Sequence, residues 1–147
     1  MKQHSWVLVL MLALTGCGDD EDGISPARGL IGGKSWTFKS GIVDYSRSDA
    51  DEFAIDLFGT SVSCTTPSTS SLDRVQVTVP RNQGDHAIGD GITTATFVVG
   101  SDGGDRFISS GHVQIGEVTG TRVRGGVELH FDGQNRLNGQ FEAVVCN

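Results

Sequence analysis

Residues 122–131 read RVRGGVELHF, and their alternation decides the fold class. Val123, Val127, Leu129 and Phe131 fall on one side of an extended chain, and Arg122, Arg124, Glu128 and His130 on the other. A period of two is that of a β-strand with one face in a core and one in water. Such half-apolar strands suit antiparallel sheets.

The same pattern spreads outward along the chain. In DRVQVTV (73–79) the residues Val75, Val77 and Val79 share a face, and GQFEAVV (139–145) aligns Phe141, Ala143 and Val145. Further strands are expected over 35–45, 52–58, 95–99, 106–109 and 112–118. Residues 48–58 fit two templates, since Ala50, Phe53, Ala54, Leu57 and Phe58 form a helical stripe that Ser48 could cap. The alternation of Phe53, Ile55 and Leu57 and the surrounding strands favour a strand. Glycine makes up 21 of 147 residues, about twice its usual share, and the excess sits in turn-like stretches such as GDG, SDGGD and DGQNRLNG. The expectation is an all-β fold: an antiparallel β-sandwich of eight or nine strands over 34–147, with a closed barrel as the alternative.

Eighteen acidic residues against eleven basic ones give a net charge of −7. That balance argues against nucleic-acid binding, which wants a basic footprint, and anionic membrane surfaces would repel the chain. The length suits one domain with a tether.

The N-terminus has a single basic residue, Lys2, before the apolar run Trp6 to Leu14, as in a secretory signal. A stable membrane-spanning helix needs roughly 20 apolar residues, so this run is too short to be one. It ends in Leu14-Thr15-Gly16-Cys17, which resembles the lipobox of bacterial lipoproteins. The resemblance implies that the Cys17 thiol receives a diacylglyceryl group, that cleavage falls between Gly16 and Cys17, and that the new amino group is acylated. Several acyl chains hold a protein far more durably than one. In Gram-negative lipoproteins an Asp directly after the lipidated Cys implies inner-membrane retention; Gly18 occupies that position here, which implies the outer membrane, at its periplasmic face or at the cell surface. The expected organisation is a signal peptide over 1–16, a lipidated, acidic and Gly-rich tether over 17–33, and the β-domain beyond.

With Cys17 committed to lipid, Cys64 and Cys146 remain as an even pair in an oxidising compartment. A bridge between them would close a loop worth about 4–5 kcal/mol in the chain-entropy model. Two free thiols or a metal pair are the alternatives, but no further Cys and no nearby His accompanies them.

Four fragments, GGKSW (32–36), GDHAIG (84–89), GHVQIGEV (111–118) and LNGQFEAVVC (137–146), resemble small secreted lipoproteins of Gram-negative bacteria in which a Gly-x-Phe strand closes a β-sandwich. The resemblance implies a fold and no activity.

Chemistry-bearing motifs are weak. GLIGGKS (29–35) approaches a phosphate-binding loop, but the glycine required five residues before Gly33 is Arg28, and strand-like WTFKS follows where a helix is needed. No nucleotide is therefore expected. His86, His112 and His130 lack the close spacing of metal ligands, so neither a metal nor another cofactor is assigned. No Gly-x-Ser-x-Gly elbow occurs. The acids cluster in turns, and DGGD and DGQN lack the terminal Glu of a calcium loop. No catalytic residue is assigned. The stripe Arg122, Arg124, Glu128 and His130 is the candidate binding face, with a merely solvated face as the competing reading. The expected function is a lipid-anchored, non-enzymatic binding or structural module of the cell envelope with a protein or glycan partner. An envelope hydrolase built from distant loops and a protease-inhibitor-like module are the alternatives.

Overall fold

A computed structural model describes residues 25–100 and 104–146. The described chain forms β1 (Arg28–Ile31), β2 (Lys34–Thr37), β3 (Ser40–Asp44), β4 (Glu52–Phe58), β5 (Arg74–Pro80), β6 (Gly84–Ala87), β7 (Thr94–Val99), β8 (Gly104–Phe107), β9 (Ser110–Val118), β10 (Arg122–Asp132) and β11 (Asn135–Cys146). The all-β expectation is met. All eleven strands join one mostly antiparallel sheet in the order β6-β9-β10-β11-β3-β4-β5-β7-β8, with β1 paired to β11 and β2 to β1. The sheet curls into a half-barrel.

This differs from the expected sandwich of eight or nine strands. A period of two reports that a strand has one buried face, not which strands bond to it. A curled sheet covers its own inner face, so one sheet suffices to enclose Val43, Ile55, Val77, Phe97, Val113, Ile115, Leu129 and Phe141.

Strand β11 joins the two halves. Along one side it pairs with β10 from Asn135 to Val144. Its other side is divided: residues 136–138 pair with β1 antiparallel, and Ala143 to Cys146 pair with β3 in parallel. The expected tether boundary at residue 33 is therefore too late. Ala27 and Ile31 are fully buried in the core, and the Ala27 N–H donates to the Gln140 carbonyl at 2.8 Å. In GLIGGKS, Gly32 and Gly33 both have positive φ and turn β1 into β2, the backbone of a tight hairpin. The stretch expected as one strand over 35–45 breaks at Phe38 and Lys39, and β6, within GDHAIG, is a strand that the alternation did not indicate.

Residues 52–58 are strand, and every residue of β4 after Glu52 is buried. Phe53, Ile55 and Leu57 face the core. Ala54, Asp56 and Phe58 lie on the outer side, and the segment 59–73 covers the last two: Asp56 and Phe58 line a small cavity with Ser63, Thr66 and Thr69. This double cover explains why the stretch also resembles a helix stripe. Ser48 caps no helix. Its hydroxyl accepts from the Ala54 N–H at 2.9 Å and donates to the Asp44 carbonyl at 2.7 Å, closing the turn before β4.

Cys64 and Cys146 are bonded, with Cα atoms 5.5 Å apart and a sequence separation of 82. The bridge fastens the covering segment to the end of β11. Arg47 reaches the same outer side, donating to Asp44 and Asp56 at 2.7 Å each. Burial alone would make Arg47 easier to deprotonate, but its bonds to Asp44 and Asp56 outweigh that and raise its pKa.

Candidate ligand-binding face

Strands β1, β11, β10, β9 and β6 lie side by side and turn their polar residues outward. Their register sets these side chains in rows. Arg28, Asn138, Glu128 and His112 form one row. On one side of it lie Arg136, His130 and Ser110, and on the other Gln140, Gly126, Gln114 and Asp85. Residues directly opposite each other in such pairs are near enough to act together on one ligand.

Two adjoining depressions mark this face. The first, about 180 Å³, has Gly126 in its floor between Gln114 and Gln140, with Asp85, His112 and Glu128 around it. The missing side chain makes the hollow: a Cβ on Gly126 would stand 3.1 Å from the Gln140 amide nitrogen. The second, about 240 Å³, is bordered by Arg28, His130 and Arg136 and shares Glu128 and Asn138 with the first. Together they form one trough across β9, β10, β11 and β1.

His112 Nδ1 lies 3.1 Å from Asp85 Oδ2, which orients the imidazole at the rim. Among the described residues, the side chains of Arg28, Glu128, His130 and Arg136 make no hydrogen bond or ion pair with another protein group. The trough therefore has an acidic end with Asp85 and Glu128 and a basic end with the two arginines.

The stripe expected from the sequence divides in two. Arg124 donates to Glu142 at 2.5 Å and to Glu117 at 3.2 Å, and Arg122 donates to Glu142 at 3.4 Å. The bond to Glu142 is the main reason the Arg124 pKa is raised. These two arginines are engaged by neighbouring carboxylates, whereas Glu128 and His130 open into the trough. Phe131, expected in the core, is 39% exposed. A register shift between His130 and Asp132 ends the alternation just there.

The histidines do not converge. His86 is buried, its Nε2 3.0 Å from the Asn82 carbonyl oxygen, while His112 and His130 occupy different ends of the trough. Among the described residues no three His, Cys, Asp or Glu side chains come together as metal ligands. DGQN is the β10–β11 turn: Asp132 Oδ1 accepts from the Gln134 N–H at 2.8 Å and from Asn135 Nδ2 at 2.9 Å. Cys17 and the rest of the signal and lipobox lie outside the described residues.

Sequence reasoning missed Arg28, Asp85, Gln114, Arg136, Asn138 and Gln140 as site residues. One signal was available: in 135-NRLNGQF-141 the polar residues Arg136, Asn138 and Gln140 alternate with Leu137 and Phe141, continuing the outer face of β11. The assignments of β1 and β6 to this sheet had no such signal. Compared with known proteins, the chain matches no family model, no curated protein and no solved structure.

Proposed function

We propose that the chain is a lipid-anchored protein of the cell envelope whose β-domain is a non-enzymatic binding module, with the trough on β1, β11, β10, β9 and β6 as its ligand face. The observation that carries this reading is the set of unengaged polar groups on a rigid sheet: Arg28, Glu128, His130 and Arg136 all border the trough without a protein partner among the described residues. A sheet holds the backbone from which these side chains spring at constant spacing, which lowers the ordering cost of binding. The anchor rests on the lipobox resemblance of Leu14-Thr15-Gly16-Cys17, and Gly18 favours the outer membrane.

The test is site-specific photo-crosslinking of the full chain in intact cells. A crosslinker at Gln114 captures an envelope protein or glycan, and one at Thr78 on β5 does not. Equal capture from both positions overturns the binding face. Labelling with palmitate, abolished by Cys17→Ala, tests the anchor. The Asp85–His112 pair is the one observation that favours a hydrolase; turnover of envelope material that disappears in His112→Ala would replace the binding reading.

A further inference from the structure

The trough is charged in opposite senses at its two ends, and this restricts what fits. Arg28 and Arg136 are diagonal neighbours on β1 and β11, since Arg28 opposes Asn138 and Arg136 opposes Leu30. Diagonal Cβ atoms stand about 7–8 Å apart, within reach of two long side chains meeting over one group. His130 lies directly opposite Arg136. Three nitrogen-bearing side chains thus gather around one depression, with Glu128 at its boundary with the other, in a chain of net charge −7. Arginine suits the planar, two-oxygen geometry of a carboxylate.

Beyond Glu128 and Asn138 the character changes. Glu128, Asp85, Gln114 and Gln140 surround the Gly126 hollow with acceptors and amides. A uniformly anionic ligand such as an acidic peptide would meet Glu128 and Asp85 there. Neutral hydroxyls, which donate to carboxylates and amide oxygens, would be well received.

Resting on the binding-module reading, we infer that the trough binds an acidic saccharide, with a sugar carboxylate between Arg28 and Arg136 beside His130 and the hydroxyls of the next ring over Gly126. The carboxylate selects the basic end, and the hydroxylated ring fills the hollow.

The experiment measures binding of cellobiose, of its analogue carrying one glucuronate ring, and of a tetraglutamate peptide to the full chain by titration calorimetry at low salt. The glucuronate disaccharide is expected to bind at least about tenfold tighter than cellobiose, and the double variant Arg28→Gln/Arg136→Gln is expected to erase that preference. Both arginines are exposed, so the variant keeps its fold, which thermal unfolding checks. Raising the salt weakens the glucuronate ligand and leaves cellobiose unchanged. Equal binding of the two sugars, a preference that survives in the variant, or tighter binding of the peptide overturns the inference. Failure of all three ligands also overturns it, and the binding-module reading then falls only if crosslinking from Gln114 fails too.

Discussion

Gly139 lies directly against Ala27: a Cβ on Gly139 would stand 2.6 Å from the Ala27 Cα. Its φ of 134° is also one that side-chain-bearing residues rarely adopt. At this point the incoming chain crosses β11, and Gln140 exchanges backbone hydrogen bonds with Ser25 and Ala27. Gly139→Ala is expected to destabilise the domain by about 1–3 kcal/mol. The check is a fall in the urea midpoint at unchanged slope.

Gly126→Ala is expected to behave differently. Its new Cβ meets the end of the Gln140 side chain rather than backbone, and its φ is not in the left-handed region. Stability changes by less than about 1 kcal/mol, while the raised floor weakens binding of the glucuronate disaccharide. Urea unfolding and calorimetry on the same variant separate the two effects.

Replacing both cysteines, Cys64→Ala/Cys146→Ala, is expected to cost about 2–5 kcal/mol. The loss has a local signature, because the bridge holds the 59–73 segment over β4. Limited proteolysis should cut this segment first in the variant and spare it in the parent chain.

Arg47→Met leaves Asp56 buried beside the two-carboxylate site that Arg47 normally spans. Arg47 is itself 40% exposed, so solvent screening reduces the effect to about 1–3 kcal/mol. Asp44→Asn, which keeps Arg47 on Asp56, should cost less. Chemical denaturation of both variants gives the order.

Acid stability follows from three carboxylates with lowered pKa. Asp44 is held down chiefly by the Ser46 hydroxyl, Asp90 by the Thr93 and Ile92 backbone N–H groups, and Asp132 by the Asn135 side chain and the Gln134 N–H. For each, the unfolded chain takes up its proton at higher pH than the folded one. Their contribution is therefore complete above the ordinary value of 3.8 and is lost as pH falls through the folded values. Unfolding free energy should decline below about pH 4, and Asp90→Asn should flatten that decline.

The alternation of Val75, Val77 and Val79 and of Phe141, Ala143 and Val145 made the core strands readable, because each reports its own buried face. The bonding partners of those strands were not readable. Nothing local in Gly84–Ala87 says that it edges β9, and Arg28–Ile31 reads as tether because the stretch around it is rich in acid, Gly and Pro and offers few residues to a core. The trough shared this fate. Glu128 and His130 were visible on β10, but their association with Arg28 and Asp85 is a product of long-range register, as is the loss of Arg122 and Arg124 to Glu142 and Glu117.

Since β11 follows every other strand in sequence and yet bonds to both β1 and β3, each of these early strands keeps one edge unpaired until residues 136–146 have arrived. Assembly is consequently governed by contacts between distant ends of the polypeptide, a topology that folds slowly.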